Sequence, residues 1–303
     1  MIDLHSHTDQ SDGTFTAAEI VSEAQRVSLE ALAITDHDTF AGYDLALPIA
    51  RRVGLDLLCG IELSTRFHGV SLHLLGYFPQ GDPGPEFRAW VQSLLASRRQ
   101  RNGQLIDRLR ALHVDITLEE VERDGRTLTG RPHFASVLVS KGYARDMQHA
   151  FDEYLGESAR SFVRREEVPV AEAIARLRQA GGIPSMAHPA RVAKNHWETL
   201  NVWAGELARL GMRAIEVHHS DHSPEGVAYY SSLATRHGLA MTGGSDFHGG
   251  NKPHIQLGTG KNGNVCVPRE LLDRLREAPA SYSEPRPSGS GPGPGRSQYP
   301  TVP

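Results

Sequence analysis

Seven short apolar runs are spread along the chain, each edged by a histidine, an aspartate or a glutamate, and they largely decide its architecture. They are IDLHSH, LEALAITDHD, LDLLCGIELS, VSLHLLGYF, GGIPSMAHP, RAIEVHHS and LAMTGGSDFH. Runs this short and this apolar read as buried strands. Amphipathic stretches with helix signals lie between several of them. Thr16 and Glu19 make a capping box ahead of Ile20, Val21 and Ala24. Ser223 with Pro224 reads as an N-cap followed by a first-turn proline, and Pro268 opens a last helix in the same way. Gly181 and Gly182 end a helix that starts near Val170. Strand–helix alternation favours a parallel sheet. Polar residues gathered at strand ends favour closing that sheet into a (β/α) barrel, where the loops after the strands converge. An open doubly wound sheet is the alternative.

One segment departs from the alternation. Residues 81–158 show helical patterns and no strand, beginning with EFRAWVQSLLASRRQRNGQLIDRLRALHV. There Phe87, Val91, Leu94 and Leu95, then Ile106, Leu109 and Leu112, recur at helical spacing. Thr117 with Glu120 caps a second helix, GRPH at 130–133 starts a third, and DMQHAFDEYL forms a fourth. This is a helical insertion between barrel strands, placed to act as a lid over a substrate. Residues 284–303, rich in Pro, Gly and Ser, have almost nothing apolar to bury and are expected to be a disordered tail.

Composition removes several function classes. No run of about twenty apolar residues is present, so no membrane span is expected. The first residues lack a basic stretch followed by an apolar one, so the expected location is cytoplasmic. Cys59 and Cys266 are too few and too far apart to suggest a disulfide scaffold. A net charge of −4 argues against a broad grip on duplex nucleic acid. The unusual count is 16 histidines.

Their placement is informative. His5 and His7 are two apart on a strand and share a face. Asp246 and His248 repeat that arrangement near the other end of the chain. His37, Glu62, His73 and His188 are single polar residues read as closing apolar runs, and Asp12 follows in the loop after the first strand. Together these are six imidazoles and three carboxylates. Such a mixture suits Zn²⁺, Mn²⁺ or Fe²⁺ better than Ca²⁺ or Mg²⁺, and it exceeds the needs of one ion. Two or three ions, with positions left for water or substrate, account for the set. Two ions about 3.5–4 Å apart can share a water and make hydroxide available near neutral pH, so no side-chain nucleophile is required. Asp36 and Asp38 either orient ligands from behind or cap the following turn. Glu216, His218 and His219 either line the same cavity or are satisfied strand-end residues. The remaining histidines are read as surface, turn or packing residues.

HSHTDQSDG, ITDHDT, GIELS, LHLLGY, AHP and GGSDFH, in that order, closely resemble the motifs of the PHP (polymerase and histidinol phosphatase) domain family. The resemblance implies a distorted (β/α)7 barrel, residues 1–80 and 159–283, carrying a metal-dependent phosphoesterase site. It implies three metal positions: His5, His7, Glu62 and Asp246 at one; Glu62 as a bridge with His73 and His188 at the second; Asp12, His37 and His248 at the third. Mn²⁺ is the first choice of ion. The insertion, 81–158, resembles a branch acting on nucleoside 3′,5′-bisphosphates and on 5′ ends of short single-stranded RNA. That resemblance implies substrate contacts from Arg99, Gln100, Arg101, Asn102 and Arg131, with Asp12, His37 and His248 near the phosphate.

The residues themselves lend the insertion a similar role. Arg98, Arg99 and Arg101 form either a phosphate grip or a solvated basic face. Arg131 and His133 flank Pro132 at a helix start, a natural place for an anion. Three readings compete: removal of the 3′-phosphate from a nucleoside bisphosphate, with short RNA as a further substrate; histidinol-phosphate hydrolysis; and an accessory module for a separate DNA polymerase. The arginines favour the first. No obligate protein partner is indicated.

Overall fold

The computed structural model describes residues 1–122, 129–156, 158–163, 167–193 and 196–277. The expected tail, 284–303, lies outside them. The strands are β1 (Ile2–Asp3), β2 (Ala31–Ile34), β3 (Asp56–Phe67), β4 (Val70–Phe78), β5 (Val168–Pro169), β6 (Ile183–Met186), β7 (Ala214–His219) and β8 (Ala240–Gly244). The helices are α1 (Ala17–Arg26), α2 (Ala41–Val53), α3 (Pro85–Ala111), α4 (Leu118–Val121), α5 (Arg131–Ser140), α6 (Met147–Ala150), α7 (Val170–Gln179), α8 (Pro189–Ala193), α9 (Trp197–Leu210), α10 (Pro224–His237) and α11 (Arg269–Glu277).

The main sheet runs β1-β2-β3-β4-β6-β7-β8, with the short β5 added beside β3. Its two ends almost meet. Leu4 donates its N–H to the Gly243 carbonyl at 3.1 Å, Asp246 to that of His5 at 2.8 Å, and His7 to that of Phe247 at 2.9 Å. Gly244 is required at this seam, because a Cβ there would lie 2.3 Å from the His5 nitrogen. The result is a nearly closed, distorted barrel. The distortion has one source. β3 and β4 form a long antiparallel hairpin, and β4 pairs antiparallel with β6 as well, while the other neighbouring pairs are parallel. The sheet is thus parallel, as the alternation predicts, except for one reversed strand. The hairpin turn at His68–Gly69 lets the chain double back without a crossover helix, and His68 takes φ 46° there.

Inside the barrel, Leu4, Ala31, Ala33, Leu58, Leu75, Tyr77, Ile183 and Ala214 form one buried cluster, joined by Leu271, Leu272 and Leu275 of α11. Alternation along each strand sends these residues inward and sends Leu32, Ile34, Leu63 and Ile215 against the surrounding helices. The capping boxes at Thr16 and Thr117 and the N-cap at Ser223 form as the sequence predicts.

The insertion keeps an apolar cluster of its own, built on Leu105, Ile106, Leu109, Ile116, Phe134, Leu138 and Leu155. Helix α3 joins the two bodies. Its first turns bury Phe87 and Val91 against the barrel, and its last turns bury Leu105 and Leu109 in the insertion. At 27 residues it spans about 40 Å. Among the described residues, no helix is long and apolar enough to cross a membrane.

Candidate metal centre

The barrel brings its polar strand ends together at one mouth. His5 and His7 follow β1, His37 follows β2, Glu62 lies within β3, His188 follows β6, and Asp246 and His248 follow β8. His73 arrives differently. It sits near the start of the reversed β4, opposite Ser64 of β3, and so opens its strand instead of closing it. Reversal carries a residue at a strand's beginning to the end where its neighbours finish.

Glu62 is the hub. Its Oε2 lies 3.3 Å from His5 Nε2, 3.2 Å from His7 Nε2 and 3.2 Å from His37 Nδ1. Its Oε1 lies 3.0 Å from both His73 Nδ1 and His188 Nε2. Asp246 Oδ1 faces His5 Nε2 at 3.4 Å and His7 Nε2 at 3.3 Å. Asp12 stands 3.2 Å from His248 Nε2, 3.5 Å from His7 Nδ1 and 3.6 Å from His37 Nε2. All nine sequence-predicted ligands therefore belong to one web of contacts. Within it, His7, Asp12, His37 and His248 make one group able to surround an ion; His5, His7 and Glu62 make a second, and His37, Glu62 and His73 a third.

The donor set suits bound metal on a separate ground. His5 Nε2, His7 Nε2 and His37 Nδ1 are buried, face carboxylate oxygens and have no hydrogen-bond partner among the described residues. Buried imidazole nitrogens are normally paired, so three that converge on carboxylates while unpaired have the character of ligand atoms. Glu216 completes the arrangement from behind. Its Oε1 accepts from His5 Nδ1 at 2.9 Å, leaving the Nε2 lone pair aimed into the site, and its Oε2 accepts from the His188 N–H at 2.7 Å. From the sequence alone Glu216 is either a cavity residue or a satisfied strand-end residue. A glutamate inside the apolar run AIEV, fully buried, is the signal that distinguishes it.

Three further carboxylates brace the loops. Asp3 accepts from Ser245 Oγ at 2.6 Å and from the Gly258 N–H at 2.7 Å. Asp36 accepts from Thr8 Oγ1 and Ser11 Oγ, both at 2.6 Å, and holds the loop that carries Asp12. Asp38 accepts from the Ser64 N–H at 2.9 Å and pairs with Arg98. Asp36 and Asp38 thus support the mouth from outside the ligand cluster. Asp38, His188 and Asp246 all adopt positive φ, at 50°, 27° and 58°. Such backbone is rare for these residue types, and here it collects where the side chains must converge.

Electrostatics divides the imidazoles. Burial pushes His37 down to about 3 and His188 down to about 4, so both are neutral at pH 7. Burial also opposes charge on His7, yet Asp246 and Glu62 more than reverse it and raise that ring to about 9. Burial would lift Glu216, but the neighbouring His5, which also donates to it, brings it down to about 2. Asp12, Glu62 and Asp246 are likewise held well below the usual carboxylate range against their burial, chiefly by histidines.

Above the cluster lies a cleft of about 1000 Å³. One side carries Asp12, His37 and His73; the insertion contributes Arg98, Arg101, Gly130, Arg131, Pro132, His133 and Phe151, and Phe162 just after it completes that wall. Arg131 donates to the Leu155 carbonyl at 3.3 Å and lies over the Phe162 ring. Not every predicted substrate residue reaches the cleft. Arg99 is exposed and paired with Glu122 at 3.1 Å, and Gln100 is exposed beside it; neither lines the cleft. Asn102 is buried, with its amide donated to the Thr129 carbonyl at 2.9 Å. Arg98 lines the cleft instead, turned inward on the stripe Val91, Arg98, Asn102, Leu105, Leu109. The helix start at Gly130 is also less open than the sequence suggests, because its N–H is donated to His133 Nδ1 at 3.0 Å.

Known proteins resemble this chain over most of its length. The PHP domain profile matches residues 3–162. The 3′,5′-nucleoside bisphosphate phosphatase of Chromobacterium violaceum is 31% identical over 90% of this chain and 97% of its own length. The 5′-3′ exoribonuclease of Haemophilus influenzae is 31% identical over 81% of this chain and 89% of its own length. A crystal structure from Bifidobacterium adolescentis, described as a metal-dependent phosphoesterase, superposes with a TM-score of 0.74 at 30% identity, covering 90% of this chain and 94% of that one.

Proposed function

This chain belongs to the PHP domain family and is a phosphoric ester hydrolase, and we propose that it removes the 3′-phosphate from nucleoside 3′,5′-bisphosphates and degrades short 5′-phosphorylated RNA. The observation that carries this reading is the shape of the cleft: Asp12, His37 and His73 of the candidate metal cluster share one cavity with Arg101, Arg131 and His133 of the insertion. A substrate with two phosphates, or a 5′-phosphorylated strand, presents anions to both sides at once. A small amino-alcohol phosphate such as histidinol phosphate presents one anion and a cation, and would gain little from the arginine wall.

In this reading His5, His7, Asp12, His37, Glu62, His73, His188, Asp246 and His248 hold two or three divalent ions, Mn²⁺ foremost. Bound there, the ions supply Lewis-acid stabilisation of the phosphoryl oxygens and a nucleophile from water near neutral pH. Glu216 fixes the tautomer of His5 so that its Nε2 lone pair faces the site. Arg101, Arg131 and His133 grip the second phosphate; the planar guanidinium fork suits that anion. Phe151 and Phe162 give the cleft an apolar wall for a base. Arg98, paired with Asp38 next to His37, holds α3 against the mouth and sets how far the arginine wall stands from the cluster.

The test is phosphate release with Mn²⁺ from adenosine 3′,5′-bisphosphate, histidinol phosphate and a 5′-phosphorylated RNA oligomer, with Asp246→Ala as control. The bisphosphate is expected to be turned over best and the control to be inactive. Preference for histidinol phosphate would overturn the role given to the insertion.

A further inference from the structure

His219 lies at ligand distance from the cluster, yet its hydrogen bonding sets it apart. It is buried at the end of β7, its Nε2 is 3.5 Å from Asp246 Oδ2, and with His5 and Asp246 it forms a group compact enough to surround an ion. By proximity alone it is a tenth ligand. The proton inventory argues otherwise. The backbone N–H of Asp221 points at His219 Nδ1 from 3.0 Å. A backbone amide can only donate, so Nδ1 is the acceptor and the ring proton of the neutral imidazole sits on Nε2. His219 Nε2 is, like those of His5 and His7, buried without a hydrogen-bond partner among the described residues, 3.5 Å from Asp246 Oδ2; but with its proton in place it has no lone pair to give a metal and can only approach that oxygen as a donor. His5 and His248 show the opposite arrangement. Each donates its Nδ1–H, to Glu216 at 2.9 Å and to the Asp246 backbone carbonyl at 2.8 Å, and so keeps an Nε2 lone pair for the site.

The surroundings of Asp246 give that donor a purpose. Its Oδ1 faces the unpaired Nε2 atoms of His5 and His7. Its Oδ2 is met by Arg191 at 2.9 Å and Lys252 at 2.8 Å, with His219 beyond. Arg191 also donates to Asp221 Oδ2 at 2.7 Å, and Asp221 is the residue whose N–H sets the His219 tautomer. The four residues close a ring: Asp221 to His219, His219 to Asp246, Asp246 to Arg191, and Arg191 back to Asp221.

Resting on the metal centre proposed above, we infer that His219 is a positioning residue and not a metal ligand: with Arg191, Lys252 and Asp221 it restrains Asp246 Oδ2, so that Asp246 presents the single oxygen Oδ1 to the ion shared with His5 and His7. A carboxylate free to turn could bind through both oxygens and take up a position needed by water or substrate. One held on its far oxygen cannot.

The experiment uses the full chain and Zn²⁺. Bound zinc per chain and its affinity are measured for wild type, His219→Ala and His219→Gln, whose amide retains an N–H donor. His219→Asn provides a second donor variant if His219→Gln does not fold. Long-range ¹H–¹⁵N correlation of histidine-labelled wild type, with the His219 signals identified by their loss in a variant, reports which ring nitrogen carries the proton before and after loading. The expected result is an unchanged number of zinc ions in every folded variant, with affinity lowered on the order of 10–100-fold in His219→Ala and largely restored by the amide. His219 Nε2 should stay protonated in the loaded protein. Loss of one ion per chain in His219→Gln, or a zinc-bound Nε2, would overturn the inference while leaving the metal centre in place. A wild type that takes up no zinc would overturn both.

Discussion

The barrel mouth and the insertion wall meet across one cleft, yet they place their functional residues by different rules. At the mouth, position follows from topology: a residue just past a buried strand has little choice but to join its neighbours. On α3, position follows from the phase of a 27-residue helix, where adjacent residues point about 100° apart. The mouth is therefore dense and mutually restrained, with Glu62 touching five imidazoles. The wall is sparser, and its guanidiniums are settled by how α3 packs. In the function proposed above, chemistry that must be exact is assigned to the mutually restrained side, and selection of the substrate to the side that can change without disturbing it.

That division can be broken experimentally. The largest effect belongs to the hub. Glu62→Gln is expected to lower phosphate release by about a thousandfold or more, roughly 4 kcal/mol of transition-state stabilisation, and to reduce bound Mn²⁺ measured on the same samples. Retained metal with lost activity would mean that Glu62 acts on substrate and not on ions. Next comes the joint between the two regions. Arg98→Met leaves Asp38 buried beside Ser64 without its cation, and urea unfolding should show a loss of about 3–5 kcal/mol. A change within 0.5 kcal/mol, roughly the scatter of surface substitutions, would show that the pair does not join α3 to the mouth.

On the wall itself, Arg131→Ala should raise KM for adenosine 3′,5′-bisphosphate by roughly 10–100-fold, the scale of one or two charge-assisted hydrogen bonds. Arg99→Ala, whose guanidinium faces Glu122, should leave KM within about twofold, since it is a surface substitution away from the cleft. Equal effects from the two would mean that α3 is rotated from the orientation described. The smallest effect lies on the far side of the barrel. Asp56 is held below its ordinary value by Arg276 and, less strongly, by Arg269, against the opposing effect of burial, at the contact that ties α11 to the start of β3. A carboxylate lowered in the folded state stabilises above the unfolded value, and that contribution disappears as pH falls through the folded one. Asp56→Asn should therefore be about 0.5–1 kcal/mol less stable than wild type at pH 7. The gap should close in acid, below about pH 4. Thermal unfolding across pH checks this, and a gap that widened in acid would reverse the sign.

The same two rules explain what could be read from the chain before its structure. His5, His7, His37, His188, Asp246 and His248 were legible because each follows an apolar run, and a run of that kind can only be a strand whose end faces the mouth. His73 and Glu62 were found by the same pattern but sit differently, one opening a reversed strand and the other inside a strand that continues into a hairpin. The reversal is legible only in the short FHGV turn, where His68 reads as a hairpin turn residue, because a hairpin and a crossover both begin with an apolar run. On α3, three arginines in four residues announce charge without saying which way it points. Arg98 could have been separated from Arg99 by its place on the stripe from Val91 to Leu109, which is the face that packs. Glu216 and His219 left weaker marks. Burial of a charged residue inside a strand was the clue to the first, and the tautomer of the second depends on a backbone N–H that no pattern of side chains displays.

The most direct test of the division between mouth and wall is a paired measurement on Arg131→Ala and wild type: bound Mn²⁺ per chain, and kcat and KM for adenosine 3′,5′-bisphosphate. The expected result is equal metal content and a KM raised at least tenfold, about 1.4 kcal/mol. Loss of metal on removing Arg131, or an unchanged KM, would contradict the separation of the two roles.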